Sequence, residues 1–194
     1  IEKWEEITDL PIIIIGDRKT PHDWEHPNCE FLSFHSTCKM DFTLPSLLPE
    51  NHYTRKNIGY LNAIRKGATS IIDTDDDNFP HPNSWNGIIN ENERNSYQIP
   101  NESSNVFRNV YTYFSQSDIP FWPRGFPLCE LLNSNSVVEP TSLQKVENAD
   151  RVGIWQGMVD QDPDIDAIHR LLYSRCPKFE NKANLILGKK NLCP

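Results

Sequence analysis

Ser70-Ile71-Ile72-Asp73-Thr74-Asp75-Asp76-Asp77-Asn78 drives a short β-branched run straight into four carboxylates. Ala68 to Ile72 reads as a buried strand, and carboxylates bunched where a parallel strand ends fall in the crevice where open α/β sheets bind ligands. Like charges held so close favour a divalent cation that neutralises them. All-oxygen donors suit Mg²⁺ or Mn²⁺, shared with substrate phosphates and water. The rival reading is a solvated acidic turn; the position directly after a strand favours the metal-diphosphate site.

Upstream, Ile58, Leu61 and Ile64 form one stripe between Thr54 and Lys66, and Lys66-Gly67 supplies a basic last turn and a C′ glycine, so a helix is predicted there. Ile12 to Ile15 is a continuous apolar run closed by Gly16-Asp17, expected to be a strand buried on both faces and preceded by a short helix bearing Ile1, Trp4 and Ile7. A second strand is expected at Glu30 to Ser33, and the stretch from His35 to Asn51, with Pro45 and Pro49, reads as loop. The alternation of helix and strand predicts an α/β fold with a mostly parallel central sheet flanked by helices.

Downstream, Phe79-Pro80-His81-Pro82 and the Asn-rich region to Ser104 suggest irregular loops, of the kind that often carry function. A strand is expected at Phe107 to Phe114, and Phe121-Trp122-Pro123-Arg124-Gly125-Phe126-Pro127 reads as a rigid aromatic loop. The last predicted helix runs from Pro163 to about Tyr173, with Asp162 as N-cap, Pro163 at N1, and Ile165, Ile168, Leu171 and Leu172 on the inner side. Repeats and heptads are absent.

The length of 194 residues suits one domain with a real core. A formal charge of -8 speaks against nucleic acid as partner, because phosphate-backbone affinity rests on clustered Lys and Arg. The five cysteines are scattered, with no CxxC pair, and read as free thiols of a reducing, cytoplasmic compartment. No stretch approaches the length of a membrane span and the start is not a signal peptide. A chain that opens at Ile1 looks like an excerpt, which leaves room for a membrane anchor elsewhere and a Golgi association. GxSxG, HExxH, P-loop and GxGxxG motifs are all missing.

The block Tyr53-Thr54-Arg55-Lys56-Asn57-Ile58-Gly59-Tyr60-Leu61-Asn62-Ala63-Ile64, followed by Gly67-Ala68 and the acidic run, resembles the STELLO-type glycosyltransferases and the reversibly glycosylated polypeptides. Gly16-Asp17-Arg18-Lys19-Thr20-Pro21, Trp122 to Leu128 and Gln161 to Ala167 resemble blocks of the same group in the same order. The resemblance implies a GT-A (Rossmann-like) domain, in which an Asp-x-Asp element binds a metal that grips the diphosphate of a nucleotide-sugar donor. Two frames exist, Asp73-x-Asp75 and Asp75-x-Asp77; Asp75 and Asp77 are preferred as metal ligands, with Asp73 and Asp76 beside the donor. The metal, Mn²⁺ or Mg²⁺, would act as Lewis acid on the leaving nucleoside diphosphate. A UDP-sugar is the expected donor and a glycan or glycoprotein the expected acceptor.

Further roles follow from the matched blocks. Arg55 and Lys56 are candidates for the diphosphate, against the alternative of a solvated helix face. Asp17 is a candidate for the base or ribose, or else a turn residue. Arg124 is a candidate for the donor sugar or phosphate. In Asp160 to Asp166 an acceptor-activating base is expected, Asp164 first and Asp162 second, with capping or dipole compensation as the competing explanation for each acid there. Trp122, Phe126 and Trp155 offer stacking surfaces or core; His169 packs or faces solvent; His81 is a weaker candidate. GT-A folds of this type open with a strand, whereas here the sequence opens at the helix expected to follow it, so the first strand is expected to be missing. Two other functions compete: a sugar-nucleotide mutase, and a catalytically silent sugar-nucleotide or glycan-binding module.

Overall fold

The computed structural model describes residues 1–80, 95–100, 102–115, 117–147, 152–160, 162–176, 178–180 and 183–194. The chain divides into two compact units, Ile1–Pro82 and Asn83–Pro194. Its class is mixed α/β, as expected. Among the described residues, however, the strands make three small sheets rather than one central sheet.

In the first unit, α1 (Glu2–Glu5) precedes β1 (Ile12–Ile15), which pairs in parallel with β2 (Cys29–Leu32) from Ile12↔Cys29 to Ile15↔Leu32. Both strands are half-buried, so β1 is not covered on both faces as its apolar run predicts. The presumed loop after them contains two short helices, α2 (Phe34–Cys38) and α3 (Leu44–Leu47). Ser33 Oγ caps α2 by accepting from Ser36 N–H at 3.1 Å, and Pro45 stands in the first turn of α3, where its missing N–H costs nothing.

A 3₁₀ turn, Tyr53–Arg55, leads into α4 (Lys56–Arg65), close to the predicted bounds. Its buried face is Ile58, Gly59 and Asn62, whereas Ile64 of the predicted stripe is exposed. Glycine at position 59 favours the close approach of α4 to β1, since a Cβ there would meet Ile15 Cγ1 at 3.0 Å and the Ile15 side chain would have to shift by a few tenths of an ångström. Gly67, with φ of 92°, ends the helix as the C′ residue.

The expected strand Ala68 to Ile72 is not formed. Residues 67–77 are exposed and irregular, with Ile71 and Ile72 at 41% and 40% of full exposure. An apolar extended run becomes a strand only where a neighbouring edge takes up its backbone N–H and C=O groups, and among the described residues none does. The acidic run therefore sits on an exposed segment rather than at the end of a buried strand.

In the second unit, β3 (Ser96–Gln98) lies between β5 (Gln144–Val146), antiparallel, and β6 (Asn184–Ile186), parallel. β4 (Val106–Phe107) pairs in parallel with β7 (Asn191–Leu192). The buried guanidinium of Arg108 binds Asn191 Oδ1 at 3.0 Å and also reaches the Asn135 carbonyl and Glu102. The predicted strand at 107 to 114 stops at Phe107 and gives way to α5 (Tyr111–Phe114). Residues two apart on a strand share a face, whereas Tyr111 and Tyr113 serve different clusters: Tyr111 packs with Phe121 and Ile165, Tyr113 with Ile99 and Val138.

The last helix, α6 (Ala167–Leu172), starts four residues later than predicted. Its N-cap is Asp166, whose Oδ1 accepts from Ile168 N–H at 2.8 Å, and not Asp162. The cause is tertiary: Arg124 N–H donates to the Asp164 carbonyl at 3.0 Å and Asp166 N–H to the Trp122 carbonyl at 3.2 Å, while Ile165 bridges Pro123. Backbone groups committed to another segment cannot join an α-helical ladder. The inward residues are Ile165 and His169; Ile168, Leu171 and Leu172 are exposed, against expectation.

Candidate functional site

The first group of candidate residues lies where β1 ends and α4 begins. Asp17 follows β1, and its carboxylate accepts from Arg18 N–H at 2.7 Å and from His52 N–H at 3.2 Å. Asn51, in the left-handed region with φ of 51°, is a conformation that Asn tolerates, and its backbone also bonds Asp17. Burial pushes the Asp17 carboxyl up, but the amides of Asn51, Arg18 and His52 together with the Arg55 charge outweigh it, and the pKa ends below the usual value.

Arg55 Nε stands 3.6 Å from Asp17 Oδ2, its Nη2 donates to Thr37 Oγ1 at 2.7 Å, and its guanidinium lies over the Phe34 ring at 4.7 Å. It is buried, so it braces Asp17 and α2 rather than facing solvent as a loose phosphate ligand.

Lys56, one residue on, turns to the acidic run. Its Nζ lies 2.5 Å from Asp75 Oδ1, 3.1 Å from Asp73 Oδ1 and 3.2 Å from the Thr74 carbonyl. Partial burial pulls the ammonium pKa down, but hydrogen bonds and charge from Asp75 and Asp73 outweigh it, and the net shift is upward. Tyr60, one turn along α4, is raised by burial and then by its hydrogen bond to Asp73. Sequence reasoning missed Tyr60, although its i+4 spacing from Lys56 places both on one helix face. Asp76 and Asp77 are exposed and have no side-chain partner among the described residues.

These residues present a cluster of carboxylate and carbonyl oxygens already turned toward a positive charge. Oxygen donors of this kind are the type a hard divalent cation takes, completing its shell with phosphates and water, although among the described residues no three of these carboxylates bring ligand oxygens within 4.8 Å of one another. Of the two Asp-x-Asp frames, Lys56 engages Asp73 and one oxygen of Asp75, and leaves Asp77 open.

A second group lies in the other unit. Asp164 is fixed by its backbone, since its carbonyl accepts from Arg124 N–H at 3.0 Å and from Tyr111 OH at 3.2 Å. Its carboxylate pairs with Arg124 Nη2 at 2.9 Å, with both side chains largely exposed. Burial, followed by the Asp164 charge, pushes the Tyr111 hydroxyl up to about 12, so it remains a donor to that carbonyl. Asp162 Oδ1 is held by Arg170 Nη1 at 2.7 Å, and Arg170 Nη2 donates to the Pro163 carbonyl at 2.7 Å. Trp122 and Phe126 are core residues, as is His169, while Trp155 is half-buried. His81 and Gln161 lie outside the described residues.

Among the described residues, one trio of potential metal ligands has all its donor atoms within 4.8 Å of one another, and it is neither of these groups but Glu5, His26 and Cys29. The His26-x-x-Cys29 spacing was its signal in the sequence. All five cysteines are free thiols. No helix among the described residues is long and apolar enough to cross a membrane.

The chain is 29% identical to the probable glycosyltransferase STELLO2 of Arabidopsis thaliana over 172 residues, covering 84% of this chain and 22% of that protein. To the probable glycosyltransferase STELLO1 of the same plant it is 28% identical over 171 residues, 84% of this chain and 21% of that protein. The STELLO-like character expected from the sequence blocks is thus borne out, while neither relative is a reversibly glycosylated polypeptide. The chain spans about a fifth of the length of these relatives. A match over 84% of the chain leaves too few residues at its ends to exclude the acidic run. No family model matches the chain, and no solved structure matches it.

Proposed function

We propose that this chain is part of a GT-A type glycosyltransferase that takes a sugar from a nucleoside diphosphate donor, with UDP as the nucleotide, and transfers it to a glycan or glycoprotein acceptor. The observation that carries this reading is the Lys56, Asp73, Asp75 cluster: oxygens gathered on a cation, at the mouth of a helix, inside the stretch shared with the STELLO relatives. Asp75 and Asp77 would hold Mn²⁺ or Mg²⁺, which supplies Lewis acidity toward the departing diphosphate.

Lys56 has two positions in this scheme. Without donor it neutralises Asp73 and Asp75; with donor its ammonium is free to share the diphosphate charge as it develops. Asp73 and Asp76 flank the donor, and Asp17, braced by Arg55, presents a carboxylate for ribose or base. Arg124 and Asp164 are assigned through the resemblance, the first to donor charge and the second to removal of the acceptor proton, with Asp162 as the other candidate base. Five free thiols suit a reducing, cytoplasmic setting for this stretch; an anchor elsewhere would place it at the Golgi.

Calorimetric titration with UDP- and GDP-sugars, first with Mn²⁺ and then with EDTA, tests the proposal. Metal-dependent binding of one donor is expected, and Asp77→Asn should abolish it while circular dichroism stays unchanged. Donor binding that EDTA leaves intact would refute the metal assignment, and no binding by a folded chain would refute the donor reading. Product formed from donor alone would instead indicate a mutase.

A further inference from the structure

We propose that Glu5, His26 and Cys29 form a Zn²⁺ site, separate from the acidic run, that fastens α1 to the start of β2. His26 and Cys29 stand at the two ends of one turn, closed by Cys29 N–H donating to the His26 carbonyl at 3.2 Å. That turn aims an imidazole nitrogen and a thiol at the same point. Glu5, the last residue of α1, brings a carboxylate to them.

The separations are those of a metal shell. His26 Nδ1 lies 3.7 Å from Cys29 Sγ and 3.4 Å from Glu5 Oε1. Tetrahedral zinc, with bonds of roughly 2.3 Å to sulfur and 2.0–2.2 Å to nitrogen and oxygen, sets its S···N and N···O ligand pairs about 3.6 and 3.4 Å apart. The third pair, Sγ and Oε1, falls within 4.8 Å.

A second observation points the same way. Glu5 Oε1 is buried and accepts no hydrogen bond, a costly state for a carboxylate oxygen that a cation would relieve. The rival arrangement holds no metal: a protonated His26 pairs with Glu5, and the Cys29 thiol lies within hydrogen-bond reach of the same Nδ1, so the test must separate the two.

The mixed sulfur, nitrogen and oxygen donor set selects a borderline metal such as Zn²⁺ over Mg²⁺ or Mn²⁺, which the oxygens of the acidic run suit. Three protein ligands leave one vertex for water. The structural consequence is local: α1 has only four residues, too few to persist by its own ladder, and a metal bond at its last residue ties it to the sheet.

The test is titration of the full chain with Co²⁺ in thiol-free buffer after reduction. One equivalent should produce a thiolate-to-cobalt charge-transfer band, which Zn²⁺ then displaces; the oxygen-only acidic run produces none. Cys29→Ser should remove the band, His26→Gln should weaken Co²⁺ binding by about 10-fold or more, and Cys38→Ser, at an exposed thiol outside the trio, should leave both unchanged. Absence of the band in the unsubstituted chain, a measurement that needs no variant to fold, would overturn the proposal. So would a band that persists in Cys29→Ser.

Discussion

Lys56 Nζ lies 2.5 Å from Asp75 Oδ1, so the acidic run is partly neutralised from within by the helix that precedes it. A cation must compete with that ammonium, and a diphosphate must attract it away. The two events make opposite demands on Lys56. Lys56→Gln is therefore expected to raise the affinity for Mn²⁺ alone and to lower the affinity for a UDP-sugar in the presence of Mn²⁺. Calorimetry in both conditions reads the pair; a change of the same sign in both would refute the exchange.

Asp164 is anchored by its backbone while its side chain meets only Arg124 among the described residues, and Asp162 is held by Arg170. Asp164→Asn is expected to lower kcat by about 10²–10⁴-fold with little change in donor affinity, the usual loss when a general base is removed. Asp162→Asn should have a much smaller effect. Steady-state kinetics on both variants decides the order, and a reversed order transfers the role to Asp162.

Gly67 closes α4 with φ of 92°, and a Cβ there would meet nothing within 4 Å, so only backbone strain opposes a larger residue. Gly67→Ala is expected to cost about 1 kcal/mol, and Gly67→Asn less, because Asn tolerates the left-handed region. Urea midpoints at unchanged slope measure this. Equal stability of all three would mean the helix end is not held in that conformation in solution.

His169 is buried, and its pKa is lowered first by that burial and then by Arg170, with Asp166 opposing. The unfolded imidazole takes up a proton near 6.5 while the folded one resists, so the unfolded state binds more protons below that pH. Stability linked to this group is complete above the unfolded value and is lost as pH falls below it. His169→Gln should flatten that acid-side slope, seen by comparing denaturant midpoints at pH 7.5 and pH 5. An unchanged slope would assign it to other groups.

Much of the first unit was legible because its signals are local. An uninterrupted Ile12 to Ile15 closed by Gly-Asp marks a strand and its exit, and here β2 supplies the edge it needs; a helix ending at Lys66-Gly67 needs only a glycine able to take positive φ. Both appear within a residue or two of their predicted bounds. Lys56 and the acids are legible as candidates too, since charge clustering is visible without coordinates.

What the order of residues determined on its own was therefore the class of chain: mixed α/β, STELLO-like in its blocks, with an acidic run just past a basic helix start. Tertiary structure alone decided the rest, because each outcome turns on which partner takes up a backbone group or a side chain. Ala68 to Ile72 has the composition of a strand yet meets no neighbouring edge, so it stays open. Residues 164 to 166 have helical character, yet they spend their amides and carbonyls on Trp122 and Arg124, which delays the helix to Ala167 and gives the cap to Asp166. Arg55 and Lys56 are adjacent and alike on paper, but one points inward to Asp17 and Thr37 and the other outward to Asp73 and Asp75. Glu5 joins His26 and Cys29 across more than twenty residues of chain, a separation that no local pattern spans and that packing closes.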